Sequence, residues 1–236
     1  MSTRYSYCWR SKYIKMLRII LIRHCETEWA VEGRYQGNID VPLSPLGRKN
    51  AKLLADKIKT YTINHNYRIS KIYSGCLSRA YQTAEIISKS INFKGHVEKI
   101  CELNERNFGD WEGLTYSEIS SKYGKSKTDK YLNNPLNFSI PNAESFEDFK
   151  ERVSEGINFI LNENNDKVKD NASNYNNTIV NTILVVAHGG TNRLIICMAL
   201  NLSQENFFRL KQDLGCINII ENYENLSVVV LMNGKI

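Results

Sequence analysis

The chain has 236 residues, 42% hydrophobic and 24% charged, which is enough for one well-buried core and short for two full domains. Its net charge of +6 favours anionic ligands by steering, without choosing among them. No apolar stretch approaches the roughly 20 residues of a membrane span, and the start carries no secretory pattern, so no membrane partner is expected and a cytoplasmic location is.

Residues 1–15 carry Arg4, Arg10, Lys12 and Lys15 and no acid. They are expected to form a disordered extension, dispensable for chemistry, ahead of a single domain over 16–236. No stacking or groove-reading motif lies beside them, so nucleic acid is not an expected partner. Leu17–Ile22 is short, apolar and rich in β-branched residues, as a strand buried on both faces should be. Ser44-Pro45 reads as an N-cap followed by proline at the first helical position, opening a helix through Leu46, Ala51, Leu54, Ala55 and Ile58. Lys71–Tyr73 reads as a strand, and Ser78–Ser88 as the next helix.

Ser145 caps a further helix, with Phe146, Phe149, Val153, Ile157 and Ile160 as its apolar stripe. Between 162 and 181, eight of twenty residues are asparagine; the run is expected to be a flexible insertion. A strand over 182–187 and a helix from Thr191 to Leu200 follow. Ile217–Ile220 and Leu226–Leu231 close the chain as two strands, expected to be antiparallel and to offer an edge for a homodimer. The order of elements predicts a three-layer α/β/α sandwich on a mostly parallel sheet. The six cysteines, Cys8, Cys25, Cys76, Cys101, Cys197 and Cys216, form no CxxC pair and are expected to be reduced.

Two histidines stand at strand ends: His24, preceded by Arg23, and His188, followed by Gly189-Gly190. Ligands gather beyond the carboxyl ends of parallel strands, so the two can share a pocket across 164 residues of sequence. A neutral imidazole there can attack phosphorus, while a second imidazole and guanidinium groups hold phosphate oxygens. No carboxylate cluster has metal-ligand spacing, so neither metal nor cofactor is expected.

Four segments belong together. They are Arg23-His24-Cys25-Glu26-Thr27-Glu28-Trp29 with Gly33–Asn38 and Asp40–Ser44; Tyr73–Ala84, containing Arg79; Leu103–Gly113, containing Glu105; and Ala187–Arg193. In order and spacing they resemble the histidine phosphatase superfamily, its phosphoglycerate mutase-like branch, over roughly residues 17–231. The resemblance implies the phosphoglycerate mutase-like fold and a role for each residue. His24 is the nucleophile that becomes phosphorylated. Arg23, Arg79 and His188 bind the phosphoryl oxygens. Glu105 protonates the leaving oxygen and later takes a proton from water. Gln36 and Gly37 approach the phosphate or the rest of the substrate, and Gly189 lets the backbone pass close to it. Glu26 and Glu112 read as structural hydrogen-bonders, and Trp29, Trp111 and Tyr35 as packing or pocket-wall residues. His65 and His96 are expected to face solvent.

Two positions depart from the family. Cys25 stands where glycine is usual, so crowding of the pocket and a reactive thiol beside a cationic site are expected. Ala30 stands where asparagine is frequent, which removes one donor to the phosphate. The resemblance is shared by phosphatases and mutases. Glu105-Arg106 has the mutase wording; Gly33–Gly37 and Gly109–Gly113 resemble phosphatases, and the tail after His188 resembles α-ribazole and small-metabolite phosphatases. The paired arginines of mutases have no counterpart in 114–143, which offers Lys122, Lys125, Lys127 and Lys130 instead. The expected function is therefore hydrolysis of a small phosphorylated metabolite, with 106–143 as a substrate cap. Phosphoglycerate mutase and a catalytically weak phosphate-binding scaffold are the alternatives.

Overall fold

The computed structural model describes residues 14–133, 138–166, 173–175, 178–223 and 226–235. Seven strands form one mixed sheet: β1 (Ile14–Arg23), β2 (Ile69–Ser74), β3 (Val97–Lys99), β4 (Ser173–Tyr175), β5 (Thr178–Ala187), β6 (Ile217–Tyr223) and β7 (Leu226–Gly234). The path across it is β3-β2-β5-β1-β6-β7, and β4 folds back on the start of β5. The first four of that path are mutually parallel; β6 and β7 extend the sheet antiparallel.

Alternation along β1 explains the layers. Leu17, Ile19 and Leu21 point to one face, packed with Phe149, Val153 and Ile160 of α6 (Phe146–Asp166) and Leu194 and Ile195 of α7 (Gly189–Ala199). Ile20 and Ile22 point to the other, against Ala51, Ala55 and Ile58 of α2 (Pro45–Asn64) and Ala80, Ala84 and Ile87 of α3 (Ser78–Ser90). This is the expected α/β/α sandwich. The expected caps form, since Ser44 Oγ accepts from Gly47 N and Ser145 Oγ from Asp148 N. Leu46 leaves its predicted stripe and is exposed, because five residues before Ala51 it falls off the buried helical face.

Three expectations need correction. β1 starts at Ile14, so Ile14 and Lys15 belong to the domain; the remainder of the expected basic arm lies outside the described residues. The Asn-rich run is structured at both ends: α6 continues to Asp166 and β5 begins at Thr178. Asn164 is buried there and donates to the Tyr73 hydroxyl and to the Ile160 carbonyl, so its amide serves the core. Residues 167–172, 176 and 177 lie outside the described residues.

The cysteines are not all reduced, because Cys76 and Cys101 form a disulfide with Cα atoms 4.9 Å apart. Each lies two residues past the end of a strand, and β2 and β3 are parallel neighbours with Ser74 opposite Lys99. The sheet therefore juxtaposes two residues 25 apart in sequence. Cys25, Cys197 and Cys216 are free and buried. No helix among the described residues is long and apolar enough to cross a membrane.

Candidate active site

Parallel pairing brings the chemistry together. β1 and β5 run in register to Arg23 opposite Ala187, and His24 N donates to the Ala187 carbonyl at 3.0 Å. His24 and His188 therefore leave their strands side by side, with ring centroids 5.2 Å apart. β2 ends beside β5, where Gly75 N donates to the Val186 carbonyl, so the loop into α3 delivers Arg79 to the same edge. The chain after β3 delivers Glu105. Thus the predicted Arg23, His24, Arg79, Glu105 and His188 converge at the carboxyl ends of the parallel strands.

His24 is 2% exposed, and its Nδ1 lies 2.7 Å from the Cys25 carbonyl oxygen. A carbonyl only accepts, so Nδ1 carries the proton and Nε2 presents a lone pair. Burial, then the guanidinium groups of Arg79 and Arg23, hold this imidazole well below the ordinary histidine range, in its neutral form. His188 is wholly buried and is likewise held down by burial, Arg79, His24 and Arg23. Neither of its ring nitrogens has a partner among the described residues.

Arg79 is 1% exposed; its Nη1 and Nη2 donate to the carbonyls of Ile39 and Gly37, and its Nε is unpartnered among the described residues. Burial pulls this guanidinium down to about 10. The loop that was expected to meet substrate therefore also anchors an arginine. Gln36 accepts from the Thr27 hydroxyl at 2.8 Å, which fixes the loop to the start of the short helix α1 (Glu28–Val31). Gly37 has φ +51°, and a Cβ there would collide with the Glu112 carboxylate, so glycine is required. Glu112 in turn accepts from Asn38 N and Phe108 N, the structural role expected of it.

Arg23 Nη1 donates to the Gln212 carbonyl at 2.5 Å, and its buried Nε has no partner among the described residues. Glu105 accepts from Gly190 N at 2.9 Å and from Arg106 N at 3.0 Å, so both carboxylate oxygens are fixed. Gly190 is small for that reason, since a Cβ would fall on Glu105 Oε1. Gly189 packs against Arg23 in the same way, where a Cβ would lie 3.2 Å from Cζ.

A cavity of about 210 Å³ borders Arg23, Glu105, Gly189 and Gly190 and extends under the expected cap. Its outer walls include Tyr35, Phe108, Tyr131, Phe146, Phe207 and Phe208, joined by Arg106 and Arg193. The cap comprises α4 (Tyr116–Tyr123) and α5 (Lys125–Asn133), packed around Trp111, Ile119, Tyr131 and Ile140. Tyr35 and Trp111 are wall and packing residues as expected, and Trp29 packs on Gly113. His65 and His96 are exposed.

The Cys25 expectation is overturned. Its side chain is 1% exposed and joins the apolar cluster beneath α2 and α3. Burial, then Glu26, pushes the thiol up to about 12, so it is neither a crowding group nor a ready thiolate. Sequence reasoning passed over Arg152, which donates to the carbonyls of Glu102 and Asn104 and to Glu144, bracing the strand of chain before Glu105. It also passed over Asn104, whose Oδ1 accepts from Cys76 N. Their partners are distant in sequence, so no local spacing marks them. Among the described residues, no group of three or more His, Cys, Asp or Glu is placed to hold a metal ion.

The profile of the histidine phosphatase superfamily (branch 1) matches residues 19–235. Phosphoserine phosphatase 1 of Hydrogenobacter thermophilus is 28% identical over 218 residues, covering 92% of each chain. Phosphoglycerate mutase-like protein 4 of Arabidopsis thaliana is 31% identical over 186 residues, 78% of this chain and 71% of that one. The crystal structure of the α-ribazole phosphatase from Shigella flexneri superposes with a TM-score of 0.74 at 25% identity, covering 92% of this chain and 96% of the other. With its fold, its paired strand-end histidines and this match over nearly its whole length, the chain belongs to the histidine phosphatase superfamily, branch 1.

Proposed function

We propose that the protein is a metal-independent phosphomonoesterase acting on a small phosphorylated metabolite through a phosphohistidine on His24. The observation that carries this reading is the His24 side chain: neutral, fixed through Nδ1 so that Nε2 keeps its lone pair, with its ring beside that of His188 and its pKa lowered by two guanidiniums. Nε2 attacks phosphorus, and the ester P–O bond breaks as the N–P bond forms. Glu105, held by Gly190 N and Arg106 N, gives its proton to the departing oxygen. Arg23, Arg79 and His188 take the charge that shifts onto the equatorial oxygens. Water then attacks phosphorus, gives a proton to Glu105, and releases inorganic phosphate and free His24.

Hydrolysis is favoured over mutase chemistry by the cap. Lys122, Lys125, Lys127 and Lys130 are all exposed and none borders the cavity, so they do not supply a clamp for a retained bisphosphate. The test is hydrolysis of a generic aryl phosphate in EDTA by the natural protein and by His24→Ala. Activity that survives EDTA and disappears in the variant is expected. Loss of activity in EDTA, or turnover by His24→Ala, refutes the mechanism; phosphoglycerate isomerisation without hydrolysis would return the mutase reading.

A further inference from the structure

Two segments of the site share a covalent tie. Cys76 lies three residues before Arg79, in the loop between β2 and α3, and Cys101 lies four residues before Glu105. Their disulfide joins the phosphate-binding side of the site to the segment that carries the acid. The two sides differ in how firmly they are held without it. Arg79 stands on α3 with its guanidinium bonded to the Ile39 and Gly37 carbonyls, and Asp40 accepts from both the backbone N and the hydroxyl of Ser78 where that helix starts. Glu105 has no such frame. It follows β3, a strand of three residues at the end of the sheet, and one short turn over Cys101–Leu103. Beyond Leu103 in the core, hydrogen bonds hold this segment: Asn104 Oδ1 accepts from Cys76 N at 2.7 Å, and the Asn104 carbonyl accepts from Thr191 Oγ1 and Arg152. A Cβ on Gly75 would lie 3.0 Å from His188 Nε2 and 3.2 Å from Asn104 Oδ1, so the Cys76 loop runs against both the second histidine and the residue before the acid. Cys76 is half-buried. Cys101 is exposed and borders a surface cleft of about 400 Å³ with Glu102, Asp148, Glu151, Arg152 and Glu155, so a reductant reaches the bond from that side.

We propose that the Cys76–Cys101 disulfide is a redox-sensitive clasp that positions Glu105, so that full activity on esters with a poor leaving group requires the oxidised protein. The proposal rests on the phosphomonoesterase reading and adds a control to its acid step. Opening the clasp takes a dithiol reductant. One of its thiolates attacks the Cys101 sulfur, and Cys76 leaves as a thiolate and takes up a proton. The reductant's second thiolate then displaces Cys101, which is protonated in turn; two electrons have passed to the protein and the reductant has become a disulfide. Between Cys76 and the acid segment there remains the bond from Cys76 N to Asn104, a neutral hydrogen bond far weaker than the covalent tie. Displacement of a reacting group by about 1 Å costs about 100-fold in rate, so even partial loosening is readable. The four carboxylates at the cleft face one guanidinium, Arg152, which is already paired with Glu144, so the surface disfavours an anionic thiol and suits a neutral or cationic one.

The probe is dithiothreitol, a neutral dithiol, applied to the full chain, with the double variant Cys76→Ser, Cys101→Ser as the permanently open form. The rate constant kcat/KM is measured on an alkyl and an aryl phosphate, because only the alkyl leaving group needs the proton of Glu105. Amide hydrogen exchange over 101–107 is followed in parallel, and circular dichroism reports the fold in each state. Reduction should lower kcat/KM on the alkyl ester by about 10-fold or more, leave the aryl ester little changed, and speed exchange over 101–107. Reoxidation should reverse all three. The double variant should match the reduced protein and ignore dithiothreitol; if it does not fold, the reduced natural protein carries the test. An ester ratio indifferent to reduction overturns the clasp. An equal fall on both esters, or loss of native structure on reduction, overturns it too, since the bond would then brace the fold and not the acid. The two readings separate cleanly. Faster exchange over 101–107 on reduction, in a protein that hydrolyses no aryl phosphate, sinks the phosphatase reading alone; aryl phosphate hydrolysis with an ester ratio indifferent to reduction sinks the clasp alone.

Discussion

Gly190→Ala tests the acid without touching it. Gly190 lies at the start of α7 without a positive φ, so alanine suits the backbone, and it favours helix more than glycine does. The added Cβ would fall on Glu105 Oε1, well inside van der Waals contact, with no flexible neighbour to yield except the carboxylate itself. Glu105 must swing away, losing its bond from Gly190 N, now 2.9 Å, or from Arg106 N, now 3.0 Å. One charge-assisted hydrogen bond is worth about 1.5–3 kcal/mol, or roughly 10- to 150-fold in rate. Displacement of a reacting group by about 1 Å costs about 100-fold on its own. The expected fall in kcat/KM for an alkyl phosphate is thus about 100-fold, with an unchanged or raised Tm.

The signature lies in the leaving group. An alkoxide needs a proton as it departs, whereas a nitrophenolate does not, and kcat/KM reports only steps up to the first phosphoryl transfer. The aryl ester should keep most of its kcat/KM. It should also show a burst of nitrophenol, because water attack on the phosphohistidine still needs a base. Steady-state kinetics on both esters and a stopped-flow trace on the aryl ester are the assays. An equal fall on both esters would mean that the phosphate site itself has collapsed, and no fall on either would mean that Glu105 is not the acid.

Three further outcomes are expected. The two buried histidines are held below 6.5 when folded and return to about 6.5 when unfolded. As pH falls below 6.5 the unfolded chain takes up protons that the folded one refuses. Stability should therefore drop by up to about 1.4 kcal/mol per pH unit for each histidine, down to the lowered folded value, and be insensitive to them above 6.5. Thermal melts from pH 7.5 to 5 should show this slope, shallower in His24→Asn, and an identical slope in that variant refutes the assignment. Reduction of the Cys76–Cys101 bond, which spans 25 residues, should remove about 3 kcal/mol. Thiol titration under denaturing, non-reducing conditions should find fewer than the six cysteines of the sequence, and a Tm indifferent to dithiothreitol contradicts the reasoning. Ala30→Asn should raise kcat/KM by restoring a phosphate donor, worth up to about 1.5–3 kcal/mol; no gain would show that another group already fills that place.

The strands and helices around the site were legible because each carries its own period. β1 and β5 are continuous apolar runs, α6 repeats its apolar residues at helical spacing, and Ser44-Pro45 states its own helix start. Most of the candidate site residues were legible as well, since they stand at the ends of such elements: His24 after β1, His188 after β5, Arg79 at the start of α3. Where the sequence misled, the deciding force was not local. Polarity in the 162–181 run suggested an insertion, yet Asn164 finds buried partners on Tyr73 and Ile160. The position of Cys25 beside His24 suggested a reactive thiol, yet the chain beyond the end of β1 lays the side chain into the cluster under α2 and α3, where burial suppresses the thiolate.

Sequence by itself determined which residues the fold would gather at one site, and in what kind of fold, because each of them sits in a local motif. Tertiary structure decided what those motifs meet. Parallel register, not spacing, sets the two imidazoles 5.2 Å apart and joins Cys76 to Cys101. Such facts depend on which strands are neighbours and on what surrounds a side chain once water has been excluded, and neither is written in the order of residues around it.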